Sequence, residues 1–65
     1  MNSDQLKGKW TQVKGELKET WGELTDDDLT EIEGDLEKLM GKLQERYGIE
    51  REEAQRRVDE WRQFV

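Results

Sequence analysis

The apolar residues of this chain recur at helical spacing along three segments, and that periodicity constrains the fold more than any other feature. Steps of three and four residues separate most apolar side chains within residues 6–24, 29–47 and 54–65, and only Met40 and Phe64 in these ranges fall outside the steps. Such steps place side chains on one face of a helix, whereas strands alternate every two residues. Only 31% of the 65 residues are hydrophobic, close to the level at which chains stay disordered. The three stripes must therefore supply the whole core, and we predict an all-α fold.

A run of carboxylates follows Thr25, where the second stripe begins. Asp26, Asp27 and Asp28 fall in the first turn of the predicted helix, and Asp28 stands where a capping box places its acid. Carboxylates there also meet the positive end of the helix dipole. The EF-hand pattern of alternating ligands, a central Gly and a final Glu is absent. We therefore interpret Thr25, Asp26, Asp27 and Asp28 as a helix cap and not as a metal site.

Other boundaries and an internal repeat predict the arrangement of the helices. Asn2 or Ser3 can begin the first helix, Gly22 can end it with a positive φ, and Gly48 can end a later one. A shift of 26 residues superimposes most glycine and apolar positions of the first helix on those before Gly48. We predict one domain over residues 1–65, a small bundle of two crossed α-hairpins with three to four helices.

Four glycines fall inside the predicted helices, namely Gly8, Gly15, Gly34 and Gly41. Together they would cost about 4 kcal/mol if all were interior, so they need a physical reason. One explanation is that they mark helix breaks, for instance at Gly34, or backbone crossings within the fold. A second is an interaction face where another helix or another copy docks. A third is a chain that stays loose until its helices are required.

The aromatic residues lie on the apolar stripes beside Leu and Val. We predict that Trp10, Trp21, Tyr47 and Trp61 belong to the core, with Phe64 beside them, because each aromatic ring buries a large apolar area. An aromatic binding site is the alternative interpretation.

Charge is abundant and unevenly distributed. Asp and Glu number 17 against 11 Lys and Arg, and residues 23–37 hold eight acids and no base. A net charge of −6 repels phosphate backbones, so nucleic acid is an unlikely partner. Two basic strips are the exception, and they are interpreted as solvated flanks of the stripes rather than as anion sites. The strips comprise Lys7, Lys14 and Lys18, and Lys38, Lys42 and Arg46.

The residue types present favour a chain without catalytic chemistry. The sequence has no His and no Cys, and its one Ser, Ser3, has no neighbouring base. We expect no catalytic residue, no cofactor, no metal and no small-molecule substrate. No apolar run is long enough for a membrane span, and no signal peptide pattern opens the chain. A cytoplasmic protein without membrane contact is expected.

Several motifs resemble a known family. The segments LTDDD at residues 24–28 and GKLQERYG at residues 41–48 occur with the pairs Lys14-Gly15 and Trp21-Gly22. Together they resemble the CsbD-like family of small bacterial proteins, and within it the YjbJ-like members. The resemblance implies a SAM-domain-like helical bundle in a cytoplasmic stress-response protein, and it implies no catalytic residue or cofactor. The chain departs from the family pattern at Glu16, where a basic residue is frequent, and at Leu36, where a polar one is.

Three functional hypotheses follow. The first is a non-enzymatic stress-response protein that acts through contacts with a protein partner or by self-association. The second is a hydrophilin-like protectant against osmotic or desiccation stress, which the mean hydropathy of −1.23 favours. The third is a weak nucleic-acid-binding module.

Overall fold

The apolar stripes form five helices. The computed structural model describes residues 2–63, so the predicted aromatic contribution of Phe64 and the stripe position at Val65 lie outside the described residues. The helices are α1 (Ser3–Gly8), α2 (Trp10–Thr20), α3 (Asp26–Ile32), α4 (Leu36–Tyr47) and α5 (Arg51–Arg62). No strand occurs between residues 2 and 63, and the prediction of an all-α fold is confirmed. No helix in that range is long and apolar enough to cross a membrane.

Two local breaks raise the helix count to five, where three to four were predicted. Lys9 takes φ −109° and ψ 12° between α1 and α2, directly after Gly8. Glu33 and Gly34 take positive φ values of 47° and 84° and separate α3 from α4. A left-handed pair of residues cannot continue a right-handed helix, so the second stripe bends within its own span. The break at Gly34 confirms the first explanation for that glycine.

The predicted helix starts are confirmed in atomic detail. The Asn2 side chain accepts a hydrogen bond from the backbone N–H of Gln5, whose side chain accepts one from the Asn2 N–H. Thr25 and Asp28 form the same reciprocal capping box at the start of α3. Each box satisfies two backbone donors that the first turn of a helix leaves unpaired.

The helix end predicted at Gly48 is confirmed, whereas the conformation predicted for Gly22 is not. Gly48 ends α4 in the left-handed region with φ 61°, as predicted. Gly22 follows the last turn of α2 but does not take a positive φ, so the conformation predicted for it is wrong. The α2 C-cap is Trp21, with φ −122°, and its N–H bonds back to the carbonyl of Leu17. A turn closed by the hydrogen bond from the Leu24 N–H to the Trp21 carbonyl directs the chain towards α3 without a left-handed residue.

One core gathers the buried faces of all five helices. Among residues 2–63, thirteen apolar side chains are buried in a single cluster, and burying each large one stabilises the fold by about 1.5–3 kcal/mol. The members are Leu6, Val13, Leu17, Trp21, Leu24, Leu29, Ile32, Leu39, Met40, Leu43, Ala54, Val58 and Trp61.

The two halves of the chain are related but not equivalent. α2 begins at Trp10 and α4 at Leu36, so the 26-residue repeat places two helices in register. α4 and α5 form the predicted second hairpin around Gly48. In the first half, α3 packs mainly on α4, and the short α1 packs on α2. The first hairpin is therefore more open than expected, because α3 packs on α4 of the second half and so connects the two halves of the chain.

Helix α1 is fixed by two contacts near the α3–α4 break. A Cβ built on Gly34 would lie 2.7 Å from Cα of Lys7, so two backbones cross there. The backbone N–H of Leu36 donates a hydrogen bond to Oγ of Ser3 at 3.3 Å. Ser3 is therefore a structural acceptor, and Gly34 is the one glycine of the four that the close approach of another segment requires.

Replacing Gly15 or Gly41 with Ala is expected to stabilise the domain. Both glycines lie inside helices, and a Cβ built on either meets no atom within 4 Å. Alanine has higher helix propensity, so each substitution should raise the free energy of unfolding by about 0.5–1 kcal/mol. Urea denaturation followed by circular dichroism measures the change. A loss of stability in either variant would show that the glycine meets a contact within the folded chain.

Candidate functional site

A surface cavity forms a groove between the end of α2 and the second half of α5. Its volume is about 430 Å³, within the range of about 300–1,000 Å³ that ligand sites occupy. The lining residues, which define the tryptophan groove, are Glu16, Glu19, Thr20, Trp21, Arg57, Glu60 and Trp61.

Two tryptophans form the floor of the tryptophan groove. Trp21 and Trp61 are 5% and 6% exposed, and their ring centroids lie 5.6 Å apart with the planes tilted by 58°. Tilted pairs at this separation are favourable for aromatic rings. The groove therefore has an aromatic base joining α5 to the chain that leaves α2.

Carboxylates dominate the rim. Glu16 and Glu19 lie on one face of α2, and Glu60 faces them from α5. None of the three makes an ion pair with another residue between Asn2 and Gln63. The single basic residue of the lining, Arg57, is already engaged, since its Nε lies 3.3 Å from Glu53 and its guanidinium stacks 5.6 Å from the Tyr47 ring centroid. The rim therefore carries excess negative charge.

An ion pair between the buried Asp28 and the exposed Arg46 forms a second polar cluster, away from the tryptophan groove. Asp28 is 1% exposed and accepts two hydrogen bonds from Arg46, from Nε at 2.7 Å and from Nη2 at 2.8 Å. It also accepts one from the Thr25 N–H at 3.1 Å. The Arg46 hydrogen bonds, aided by Thr25, hold the pKa of Asp28 well below its usual range, although burial opposes them. Asp28 therefore closes the α3 cap and ties α3 to α4.

Three of the six residues of the predicted basic strips, Lys18, Lys42 and Arg46, pair with the acidic segment. Lys42 contacts Asp28 and Glu31, and the Glu31 hydrogen bond raises the pKa of Lys42. Lys18 donates to Asp26 at 2.7 Å, which lowers the pKa of Asp26. Lys7 lies on α1 rather than beside Lys14 and Lys18 on α2, so the first strip is divided between two helices. These contacts support the interpretation of the strips as structural flanks.

Lowering the pH is expected to remove the stabilisation that Asp28 provides. Its folded pKa is depressed, so the contribution is complete above about pH 5 and is lost as the pH falls past the unfolded pKa of about 3.9. The free energy of unfolding should therefore fall more steeply between about pH 5 and pH 2 in the wild type than in Asp28→Asn. Urea titrations at a series of pH values measure both slopes, and equal slopes would contradict this role.

The predicted core aromatics occupy two kinds of position. Trp21 and Trp61 are confirmed as core residues. Trp10 and Tyr47 are half-buried and pack against the core cluster. Tyr47 also accepts a hydrogen bond at its hydroxyl from the Glu23 N–H, at 3.3 Å. Trp10 lines a separate cleft of about 210 Å³ with Gly15.

The predicted glycine face is not one continuous surface. Gly34 is buried against Lys7, so it cannot belong to an exposed face. Gly8, Gly15 and Gly41 are exposed on α1, α2 and α4, and their role in docking stays a prediction.

Sequence reasoning did not identify the rim of the tryptophan groove. Thr20, Arg57 and the three rim glutamates become neighbours only when the fold brings the end of α2 to one groove with α5. The sequence does indicate each side of the groove, because residues 16, 19 and 20 share one helix face and residues 57, 60 and 61 share another.

Comparison with known proteins connects this chain to one family. The family model described as CsbD-like matches residues 4–56. A UPF0337 protein of Pectobacterium atrosepticum is 57% identical over 94% of this chain and 88% of its own length. The UPF0337 protein YjbJ of Escherichia coli is 52% identical over 94% of this chain and 88% of its own length. A UPF0337 protein of Pseudomonas aeruginosa is 56% identical over 89% of each chain.

No solved structure matches the chain. The likeness to a SAM-domain-like fold therefore stays a prediction.

Proposed function

The chain belongs to the CsbD-like family, and we propose that it is a non-enzymatic interaction domain of the bacterial general stress response. It acts in the cytoplasm through contacts with other proteins. The observation that supports this most strongly is the tryptophan groove, a concave surface with an aromatic floor and a charged rim.

The placement of titratable groups supports a role without catalysis. General acids and bases in enzymes are commonly buried or paired beside a cleft that holds the substrate. Asp28 is the one buried charged side chain among residues 2–63, and its oxygens are bonded to Arg46 and Thr25. Asp28 does not line the tryptophan groove. The groove is thus suited to docking and lacks a buried acid or base.

Two interior glycines favour a second candidate function, the hydrophilin-like protectant. Gly15 and Gly41 weaken α2 and α4, although no contact within the described fold requires a glycine there. A chain whose work is to stay hydrated and shield other proteins benefits from helices that form only partly in dilute solution. Nucleic-acid binding is the weakest candidate, since Lys18, Lys42 and Arg46 already contact carboxylates.

In-cell crosslinking tests the proposed function. A tagged chain is crosslinked during exponential growth and after osmotic stress or entry into stationary phase, and captured proteins are identified by mass spectrometry. We expect a small, reproducible set of proteins whose capture rises under stress and is not explained by their abundance. Capture proportional to protein abundance in every condition would contradict the interaction domain and favour the protectant.

A further inference from the structure

The tryptophan groove combines an apolar floor with uncompensated negative charge. Trp21 and Trp61 form the floor, and Glu16, Glu19 and Glu60 stand around it without an ion pair in the described part of the chain. Like charges held close together repel, and a cation placed among them relieves that repulsion. An apolar side chain in the same ligand gains by leaving water against the tryptophans.

The lining arginine offsets at most one of the three rim carboxylates, since Arg57 shares Glu53 with Arg56 and is the one basic residue of the lining. Arg57 is bonded to Glu53 and stacked on Tyr47, both outside the lining of the tryptophan groove. Elsewhere between residues 2 and 63, exposed acids such as Asp26, Glu31 and Glu37 are paired with Lys or Arg. Other exposed acids, among them Asp4, Glu23 and Glu33, also lack an ion pair in that range, so the groove rim is set apart by its carboxylates lying around an aromatic floor.

The charge also decides against other occupants. A second copy of this chain brings a net charge of −6, and a nucleic acid brings phosphates, so both meet repulsion at the rim. Complementary potential favours a cationic partner and raises its rate of encounter.

We propose that the tryptophan groove docks a cationic protein segment in which Lys or Arg residues flank one apolar side chain. The apolar side chain lies over Trp21 and Trp61, and the flanking cations pair with Glu16, Glu19 and Glu60. The inference rests on the proposed function, because it names the surface and the partner chemistry of the interaction domain.

A defined peptide tests the proposal. The probe is a capped peptide with two Arg on each side of a central Leu, spaced by Gly and Ser. Two-dimensional NMR of the full ¹⁵N-labelled chain follows the indole N–H signals during titration. We expect the signals of Trp21 and Trp61 to shift in a saturable way, while Trp10, in the cleft beside Gly15, serves as the internal control.

Matched peptides separate docking from simple attraction. Replacing the central Leu with Ser keeps the charge, and replacing the Arg residues with Gln keeps the apolar anchor. Each change should weaken binding at least tenfold. Equal affinity of the Leu and Ser peptides, or equal shifts at all three tryptophans, would overturn the proposal.

Matched protein variants locate the binding surface. The triple variant Glu16→Gln, Glu19→Gln and Glu60→Gln should weaken binding at least tenfold. The control Asp4→Asn, Glu23→Gln and Glu33→Gln removes the same charge outside the groove and should change the affinity less than twofold. Thr20→Tyr fills the groove without changing charge and should also weaken binding at least tenfold. Equal loss in both triple variants, or no loss with Thr20→Tyr, would overturn the assignment to the groove.

Failure of the tryptophan groove as a docking site is distinguishable from failure of the interaction domain. Proteins captured in cells equally well by the wild type and Thr20→Tyr would refute the groove and leave the interaction domain standing. A stress-dependent protein whose capture is lost in Thr20→Tyr but kept in the control triple variant would support both.

Discussion

Replacing Gly34 with Ala is expected to destabilise the domain by about 2–4 kcal/mol. An L-residue at φ +84° costs about 1–2 kcal/mol relative to glycine. The added Cβ would also lie 2.7 Å from Cα and 3.0 Å from N of Lys7, both backbone atoms that cannot rotate away. Overpacking of this kind costs about 1–3 kcal/mol, and α1 has to move to relieve it. Urea denaturation followed by tryptophan fluorescence measures the loss.

Gly41→Ala is the matched control for this substitution. It adds the same methyl group to the same half of the chain, but into open space. The two variants should therefore change stability in opposite directions. Amide hydrogen exchange adds a local readout, since Gly34→Ala should deprotect α1 before α5. If Gly34→Ala were as stable as the wild type, the backbone crossing between Gly34 and Lys7 would be refuted.

Replacing Asp28 with Ala is expected to cost about 2–4 kcal/mol. The substitution removes a helix cap, worth about 0.5–2 kcal/mol, and hydrogen bonds to a charged partner, worth about 1.5–3 kcal/mol. It also leaves the Thr25 N–H without its acceptor. A core of this size supplies only about 3–5 kcal/mol, so a measurable fraction of Asp28→Ala should be unfolded at 25 °C. Thermal and urea unfolding measure the change.

Two comparisons show whether the pairing of Asp28 with Arg46 causes the loss of stability. Asp27→Ala removes a carboxylate from the same helical turn, but Asp27 is exposed, so a loss below about 1 kcal/mol is expected. In a double-mutant cycle, Asp28→Ala should cost less in an Arg46→Ala background than in the wild type, because the shared hydrogen bonds are already absent. Additive costs, or equal losses for Asp27→Ala and Asp28→Ala, would contradict the pairing of Asp28 with Arg46.

Features governed by neighbouring residues could be predicted from the sequence. The helical class follows from the stripes, and the caps at Asn2, Thr25 and Gly48 follow from chemistry within one turn of the chain. Trp21 and Trp61 were expected in the core because they continue the stripes of their segments. These elements needed no knowledge of which helix packs on which.

Features that join distant residues could not be predicted. Asp28 and Arg46 are 18 residues apart, and the capping pattern that identified Asp28 is complete without Arg46. Gly34 lies against Lys7 only because α1 crosses the α3–α4 break. The tryptophan groove likewise exists only once α2 and α5 are adjacent. A pattern of charges and apolar steps specifies helix faces, but several pairings of those faces satisfy it.

The central claim is that the sparse apolar residues pack into one core and form the tryptophan groove before any partner binds. The stability of the free chain tests this claim most directly. Urea unfolding of the full chain is followed by circular dichroism at 222 nm for the helices and by tryptophan fluorescence for the core. We predict a single cooperative transition that coincides in both probes, with a blue-shifted emission in the absence of urea. Weak, gradually changing helicity and a solvent-exposed emission in dilute buffer would contradict the account and favour a protectant that folds only on drying.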